Sequence, residues 1–200
     1  MQLFLIFRKF VKFDENIFRM KKALSILATM IAIFILIILI IPFSQPDKYA
    51  VKREIFIQQQ DTAIFQIYSN WQNFEKWNPW HDLDKNAVAT FSGEMGKVGA
   101  KYAWKGNDEA GEGYMILTAV SPNQSIDYNL VFVKPWESVA KCSMSNNPKD
   151  NGTELVWVMS GDQNYMMRLF MLLQGGMDKA IGADFEKGLA NIKKLAEATR

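Results

Sequence analysis

Residues Ala23–Ile41 (ALSILATMIAIFILIILII) form a run of nineteen positions without a charge. At 1.5 Å per residue a helix of this length covers about 28 Å, close to the hydrocarbon thickness of a bilayer. Thirteen of the nineteen residues are Leu, Ile or Phe. That content favours insertion by about 4–8 kcal/mol. A buried helix of a soluble protein would keep some polar face, and this run has none. A cleavable signal peptide would have a shorter apolar core and small residues at a cleavage site. Here Pro42-Phe-Ser-Gln-Pro46 follows instead. The run therefore predicts one uncleaved transmembrane helix over 23–41, stopped by Pro42. A linker over 42–47 leads to a soluble domain over 48–198.

Charge is distributed unevenly around this span. Residues 1–22 hold six Lys or Arg and two acidic residues, a net +4, whereas residues 43–200 carry a net −2. Lys and Arg cluster ahead of the span, and only Lys48, Lys52 and Arg53 follow closely behind it. The positive-inside rule then predicts a cytoplasmic N-terminus and a domain on the periplasmic or extracytoplasmic side. Two readings of residues 1–19 stand side by side. They form a basic amphipathic helix on the inner membrane surface, or Met20-Lys21-Lys22 is the true start of an anchor.

The acidic balance of the soluble part argues against nucleic-acid binding. One cysteine, Cys142, excludes an intramolecular disulfide and a multi-cysteine metal site. One histidine, His81, excludes a histidine cluster and leaves at most one imidazole for catalysis. No metal or cofactor is implied.

Beyond the linker, 49–57 alternates and ends Ile-Phe-Ile, as a first strand does. Asp61 or Thr62 is placed to cap a helix to about Asn70, with Ile64, Ile67, Tyr68 and Trp71 on one face. An aromatic loop follows, from Trp71 to Trp80. Strand-like segments then recur at about 87–92, 100–105, 111–120, 125–133, 137–145 and 153–160. Turn signals such as Pro122-Asn123 and Asn151-Gly152 separate them. Short connections between successive strands predict an antiparallel meander. From Gly176 to about Ala198, Met177, Ile181, Phe185, Leu189, Ile192 and Leu195 make one apolar stripe of a long helix. Gly182 and Gly188 lie beside or within that stripe. They mark close helix–sheet approach or volume left for a ligand. A terminal helix along a curved antiparallel sheet is a two-layer α+β arrangement. Side chains do not fill all the space between such layers, which leaves an apolar pocket.

Four stretches carry a family resemblance: Val51-Lys-Arg-Glu-Ile-Phe-Ile57, Trp71-Gln-Asn-Phe-Glu-Lys-Trp-Asn-Pro-Trp80, Gly111-Glu-Gly-Tyr-Met-Ile116 and Gly182-Ala-Asp-Phe-Glu-Lys-Gly-Leu189. With the strand–helix–strands–helix order, they make residues 48–198 resemble the START-like, or SRPBCC, superfamily. Within it, the chain is similar to membrane-anchored members of the polyketide cyclase/dehydrase and lipid-transport group. The resemblance implies a helix-grip fold, a curved antiparallel sheet wrapped around a long C-terminal helix, with a cavity for a hydrophobic small molecule or lipid. The superfamily holds binders, carriers and some cyclases, so fold does not decide reaction.

Candidate site residues follow from chemistry and position. His81, with Asp82 or Asp84 nearby, could serve as a general base, against the plainer reading of a surface polar cluster. Glu112 shares a strand face with Tyr114, Ile116 and Thr118. If that face lines the cavity, Glu112 is a buried acid or a ligand hook; otherwise it is a solvated strand residue. Cys142 alternates with Ala140 and Met144 and reads as a small core residue without a visible base partner. The aromatic and apolar candidates for ligand contact are Trp77, Trp80, Trp104, Tyr128, Trp157 and Phe185, and Trp136 is a further aromatic in the same class. Tyr165–Leu173 (YMMRLFMLL) reads as core, as a methionine-rich lid carrying Met167 and Phe170, or as a surface dipping into the bilayer. The role expected first is binding of a hydrophobic ligand by a membrane-anchored domain. The alternatives are a cyclase, dehydratase or hydrolytic enzyme using Glu112 or His81, and an envelope-stress module with protein partners left open.

Overall fold

A computed structural model describes the backbone of residues 2–198 and the side chains from Phe18 onward. The chain divides into two compact units, Met1–Gln45 and Pro46–Arg200. The first is one helix, α1 (Gln2–Ser44). Its Phe18–Ser44 portion is long and apolar enough to cross a membrane. Pro42 does not end the helix as expected, because it sits in the last turn of α1. A proline there forfeits a single backbone bond near a fraying end, and the Gln45 amide closes the turn on the Pro42 carbonyl at 3.3 Å. The amphipathic reading of residues 1–19 falls mostly on side chains outside the described residues.

The second unit is a seven-stranded antiparallel sheet with helices on one face. Its strands are β1 (Lys48–Ile57), β2 (Val88–Ser92), β3 (Lys101–Lys105), β4 (Glu112–Ser121), β5 (Ser125–Lys134), β6 (Ser138–Lys149) and β7 (Gly152–Asp162). Their order across the sheet is β1-β7-β6-β5-β4-β3-β2. Strands β2 to β7 are thus the expected meander, and β1 closes the far edge against β7. Asn123 and Asn151 adopt positive φ in the β4–β5 and β6–β7 turns, a conformation asparagine tolerates better than most residues.

Between β1 and β2 run α2 (Asp61–Tyr68), a 3₁₀ turn over Trp71–Asn73, the short α3 (Phe74–Trp77) and a second 3₁₀ turn over His81–Leu83. Neither Asp61 nor Thr62 caps α2. Gln60 holds the N-cap position without a side-chain bond, and Asp61 Oδ1 accepts from the Thr62 amide at 2.7 Å. After β7 come α4 (Tyr165–Leu173), capped by the Asn164 side chain on the Met167 amide, and the long α5 (Met177–Glu197).

Alternation along each strand decides what faces α5. Val51 and Ile57 of β1, Leu155, Trp157 and Met159 of β7, and Ile126, Tyr128 and Leu130 of β5 are buried in one core. From α5, Met177, Phe185, Leu189 and Ile192 enter the same core. α5 lies along β1 and reaches β7. Two of its glycines let it do so. A Cβ on Gly188 would stand 2.8 Å from Cζ3 of Trp157. That ring cannot retreat: it stacks on Phe185 at 3.9 Å between centroids, and its Nε1 donates to the Tyr128 hydroxyl at 2.9 Å. A Cβ on Gly182 would collide with the guanidinium of Arg53. Arg53 projects from β1 into this notch between Asp178 and Glu186, one helical turn to either side. It donates to Asp178 Oδ1 at 2.8 Å, to Oδ2 at 3.0 Å and to Glu186 Oε1 at 2.8 Å. The forked pairing holds the Asp178 carboxyl below the usual carboxylate range. Its contribution is present at neutral pH and fades as acid protonates Asp178.

Both glycines are therefore close-approach positions. Gly188→Ala should lower stability by about 1–2 kcal/mol, because overpacking outweighs the gain in helix propensity. Gly182→Ala should instead expel a flexible guanidinium and abolish the Arg53–Asp178 pair. Denaturant unfolding of the two variants checks this. A rise in stability for Gly188→Ala, the ordinary outcome in a helix, would contradict the contact.

Candidate functional site

The helical layer fills the two ends of the concave sheet face differently. Over one end, α2 and α5 pack tightly on Ile57, Ile126, Met144 and Leu155, all fully buried. Over the other, around β3, β4 and β5, segment 74–87 stands off the sheet. A cavity of about 320 Å³ lies between them. Its sheet wall is Tyr102 and Trp104 of β3, Met115 of β4, Leu130 and Phe132 of β5, and Met159 of β7. Phe74, Trp80, Leu83 and Ala87 form the facing wall, and Ile181 is the contribution of α5. Glu75, Asn78, His81, Asp84, Lys85 and Glu109 supply the polar part of the lining.

Polar bonds to neighbouring elements hold the 74–87 segment in place. Trp80 Nε1 donates to Asp184 of α5 at 2.9 Å, and Lys187 of α5 pairs with Asp82 at 3.1 Å. The Asn191 side-chain amide reaches the Trp77 carbonyl at 3.4 Å. From the β3–β4 hairpin, the Asn107 amide donates to Asp84 Oδ2 at 2.8 Å, and its side chain donates to the Leu83 carbonyl at 3.1 Å. The hairpin also fixes Trp104, whose Nε1 donates to the Ala110 carbonyl at 2.9 Å. Gly113 opposite lacks the Cβ that would strike the Trp104 ring at 2.6 Å.

At the cavity rim a hydrogen-bonded chain runs through three residues. The Tyr102 hydroxyl donates to Glu75 Oε1 at 2.6 Å, and His81 Nδ1 lies 3.3 Å from Glu75 Oε2. Burial, then the Glu75 bond, pushes the Tyr102 hydroxyl far above its ordinary value, so it remains a proton donor. The arrangement can hold a proton or a hydrogen-bonding group of a ligand beside an apolar chamber.

The structure distributes the sequence-derived candidates unequally. Trp80, Trp104 and His81 line the cavity. Trp77, Tyr128, Trp157 and Phe185 lie one layer behind it and are almost wholly buried. Cavity-lining Phe74 and Trp80 meet this layer edge-on, Phe74 against Trp77 at 4.7 Å and Trp80 against Trp157 at 6.1 Å. Glu112 is outside the cavity. Gly113, Met115 and Leu117 face inward instead, and Glu112 pairs with Lys134 at 3.4 Å on the other face. Met167 and Phe170 of α4 are not part of the lining. Met167 packs half-buried on the core, and Phe170 lies against exposed Trp136 at 5.6 Å. His81 is oriented by Glu75 rather than by Asp82 or Asp84, because those two carboxylates are engaged by Lys187 and by backbone amides. Sequence reasoning missed Glu75, Tyr102, Met115, Leu130, Phe132 and Met159. The period-2 spacing of Tyr102 with Trp104, and of Tyr128 with Leu130 and Phe132, was the available signal.

No family model matches the chain, and no curated protein does. Solved structures are similar to it. Protein MLL2253 from Mesorhizobium loti superposes with a TM-score of 0.57 at 14% identity, over 76% of this chain and 99% of that one. Ara h 8.0201 gives 0.53 at 8% identity, over 76% and 99%. The Aha1 dimer structure from Colwellia psychrerythraea gives 0.50 at 16%, over 72% and 96%. The domain has the helix-grip fold. At these identities the likeness concerns the fold alone, and it agrees with the SRPBCC-type arrangement that the sequence resemblance implied.

Cys142 is buried between Tyr128 and Met159, its cross-strand neighbours. Burial pushes its thiol up to about 12. Burial likewise raises Tyr49 to about 12. Unfolding releases both groups to ionise at their ordinary values, so stability is intact below about pH 9 and falls as the pH climbs toward 12. Native Cys142 should therefore react with a thiol reagent at mildly alkaline pH about 100-fold or more slower than the unfolded chain. Spectrophotometric labelling with and without denaturant measures the ratio, and equal rates would contradict the burial.

Proposed function

We propose that the protein is a membrane-anchored helix-grip domain that binds a hydrophobic small molecule or lipid. The observation that carries this reading is the cavity, about 320 Å³ walled chiefly by Phe74, Trp80, Trp104, Met115, Phe132 and Met159. Apolar chambers with a few convergent polar groups are the usual form of a small-molecule site. The fold of the solved structures similar to the domain supports the assignment at the level of architecture. The Phe18–Ser44 helix supports the anchor. In this reading it crosses the bilayer with the basic residues 1–22 inside, and the domain from Lys48 onward lies outside.

Two measurements test the proposal. Full-length protein purified in detergent and extracted with organic solvent should release a stoichiometric apolar compound, identified by mass spectrometry. Ala87→Trp, which fills the cavity from a half-buried loop position, should release none. Identical extracts from the two proteins would refute a ligand in this cavity. Alkaline carbonate washing of membranes should leave the full chain in the pellet, and its release into the supernatant would refute the anchor.

A further inference from the structure

The proposed binding of an apolar ligand leaves its polar end undefined, and the hydrogen-bond accounting of the rim defines it. The aromatic donors built into the wall are already spent. Trp80 Nε1 is given to Asp184, Trp104 Nε1 to the Ala110 carbonyl, and the Tyr102 hydroxyl proton to Glu75. The buried indole N–H without an acceptor, that of Trp77, lies outside the lining.

Acceptors remain. A carboxylate offers about four lone-pair directions, and Glu75 uses one on Tyr102 and one toward His81. The Tyr102 oxygen, having donated, keeps a lone pair. Of the two His81 ring nitrogens, Nδ1 is the one that faces Glu75. Asn78 offers an amide N–H, but its Oδ1 is taken by the Trp80 amide. Charge points the same way: Glu75, Asp84 and Glu109 line the cavity against Lys85.

We infer that this cavity selects an apolar molecule bearing a hydrogen-bond donor, an alcohol or an amine, and rejects carboxylates and phosphates, with Glu75 as the anchoring acceptor. The inference rests on the ligand-binding reading above. A carboxylate head seated on Glu75 would form a repulsive like-charge pair, and Lys85 is outnumbered in the lining by Glu75, Asp84 and Glu109. A hydroxyl or ammonium group instead completes the valences of Glu75 in a charge-assisted bond.

Three probes with one apolar body separate the possibilities: 2-naphthylmethanol, 2-naphthylmethylamine and 2-naphthoic acid. Each is titrated calorimetrically at mildly alkaline pH into full-length protein in phosphatidylcholine nanodiscs, with empty nanodiscs as the blank. The alcohol and the amine should bind about tenfold or more tighter than the acid. Glu75→Gln should weaken the amine about tenfold and strengthen the acid. Tyr102→Phe, which frees a Glu75 lone pair, should leave amine binding intact or improve it. An acid that binds as well as the alcohol, or an order unchanged by Glu75→Gln, overturns the inference while leaving the cavity reading standing. Absence of saturable binding for all three overturns both.

Discussion

The flat contact of Trp157 with Phe185, made over the bare backbone of Gly188, fixes where α5 lies on the sheet. Everything else in the domain is arranged around it. Trp157 is anchored through its Nε1 to Tyr128 on β5, two strands away across β6. The ring therefore cannot yield, and the helix must come to it. The Arg53 fork on Asp178 and Glu186 secures the N-terminal half of the same helix to the edge strand β1. Pinned at these points, α5 covers the β1–β7 side and leaves β3, β4 and part of β5 to be roofed by segment 74–87. A short helix, one 3₁₀ turn and a loop cannot close-pack a curved sheet as a long helix does. The cavity is the remainder.

The sequence made much of this fold legible because its signals were local. Strand alternation and turn residues placed each β element within a few residues. The stripe from Met177 to Leu195 marked α5, and the unbroken apolar run marked the membrane-length portion of α1. Gly188 was readable as a close-approach position, and the Trp157 ring is what it approaches. The termination at Pro42 misread a residue whose cost is small in a last helical turn.

The site was less legible because inward and one-layer-behind positions look alike in sequence. Trp77, Trp80, Trp104 and Trp157 are all large aromatics on inward faces. Only the stand-off of segment 74–87 decides that Trp80 and Trp104 border the cavity while Trp77 and Trp157 are core. Glu112 was placed by alternation without knowing which β4 face is concave, and Gly113 held the answer as the seat of Trp104. Glu75 lay hidden inside the aromatic motif, since nothing local links it to Tyr102, 27 residues on. A charged residue between Phe74 and Trp77 reads as solvent-facing until the tertiary fold brings a tyrosine hydroxyl to it.

The central claim is that the space between β3–β5 and segment 74–87 is an open apolar chamber rather than packed core. A crystal of the full-length protein, freed of bound ligand and pressurised with xenon, tests it directly, because xenon enters unoccupied apolar cavities and not close-packed interiors. The account predicts anomalous xenon density bounded by Trp104, Met115, Leu130 and Phe132. Density absent there, with those side chains in mutual contact, would contradict it.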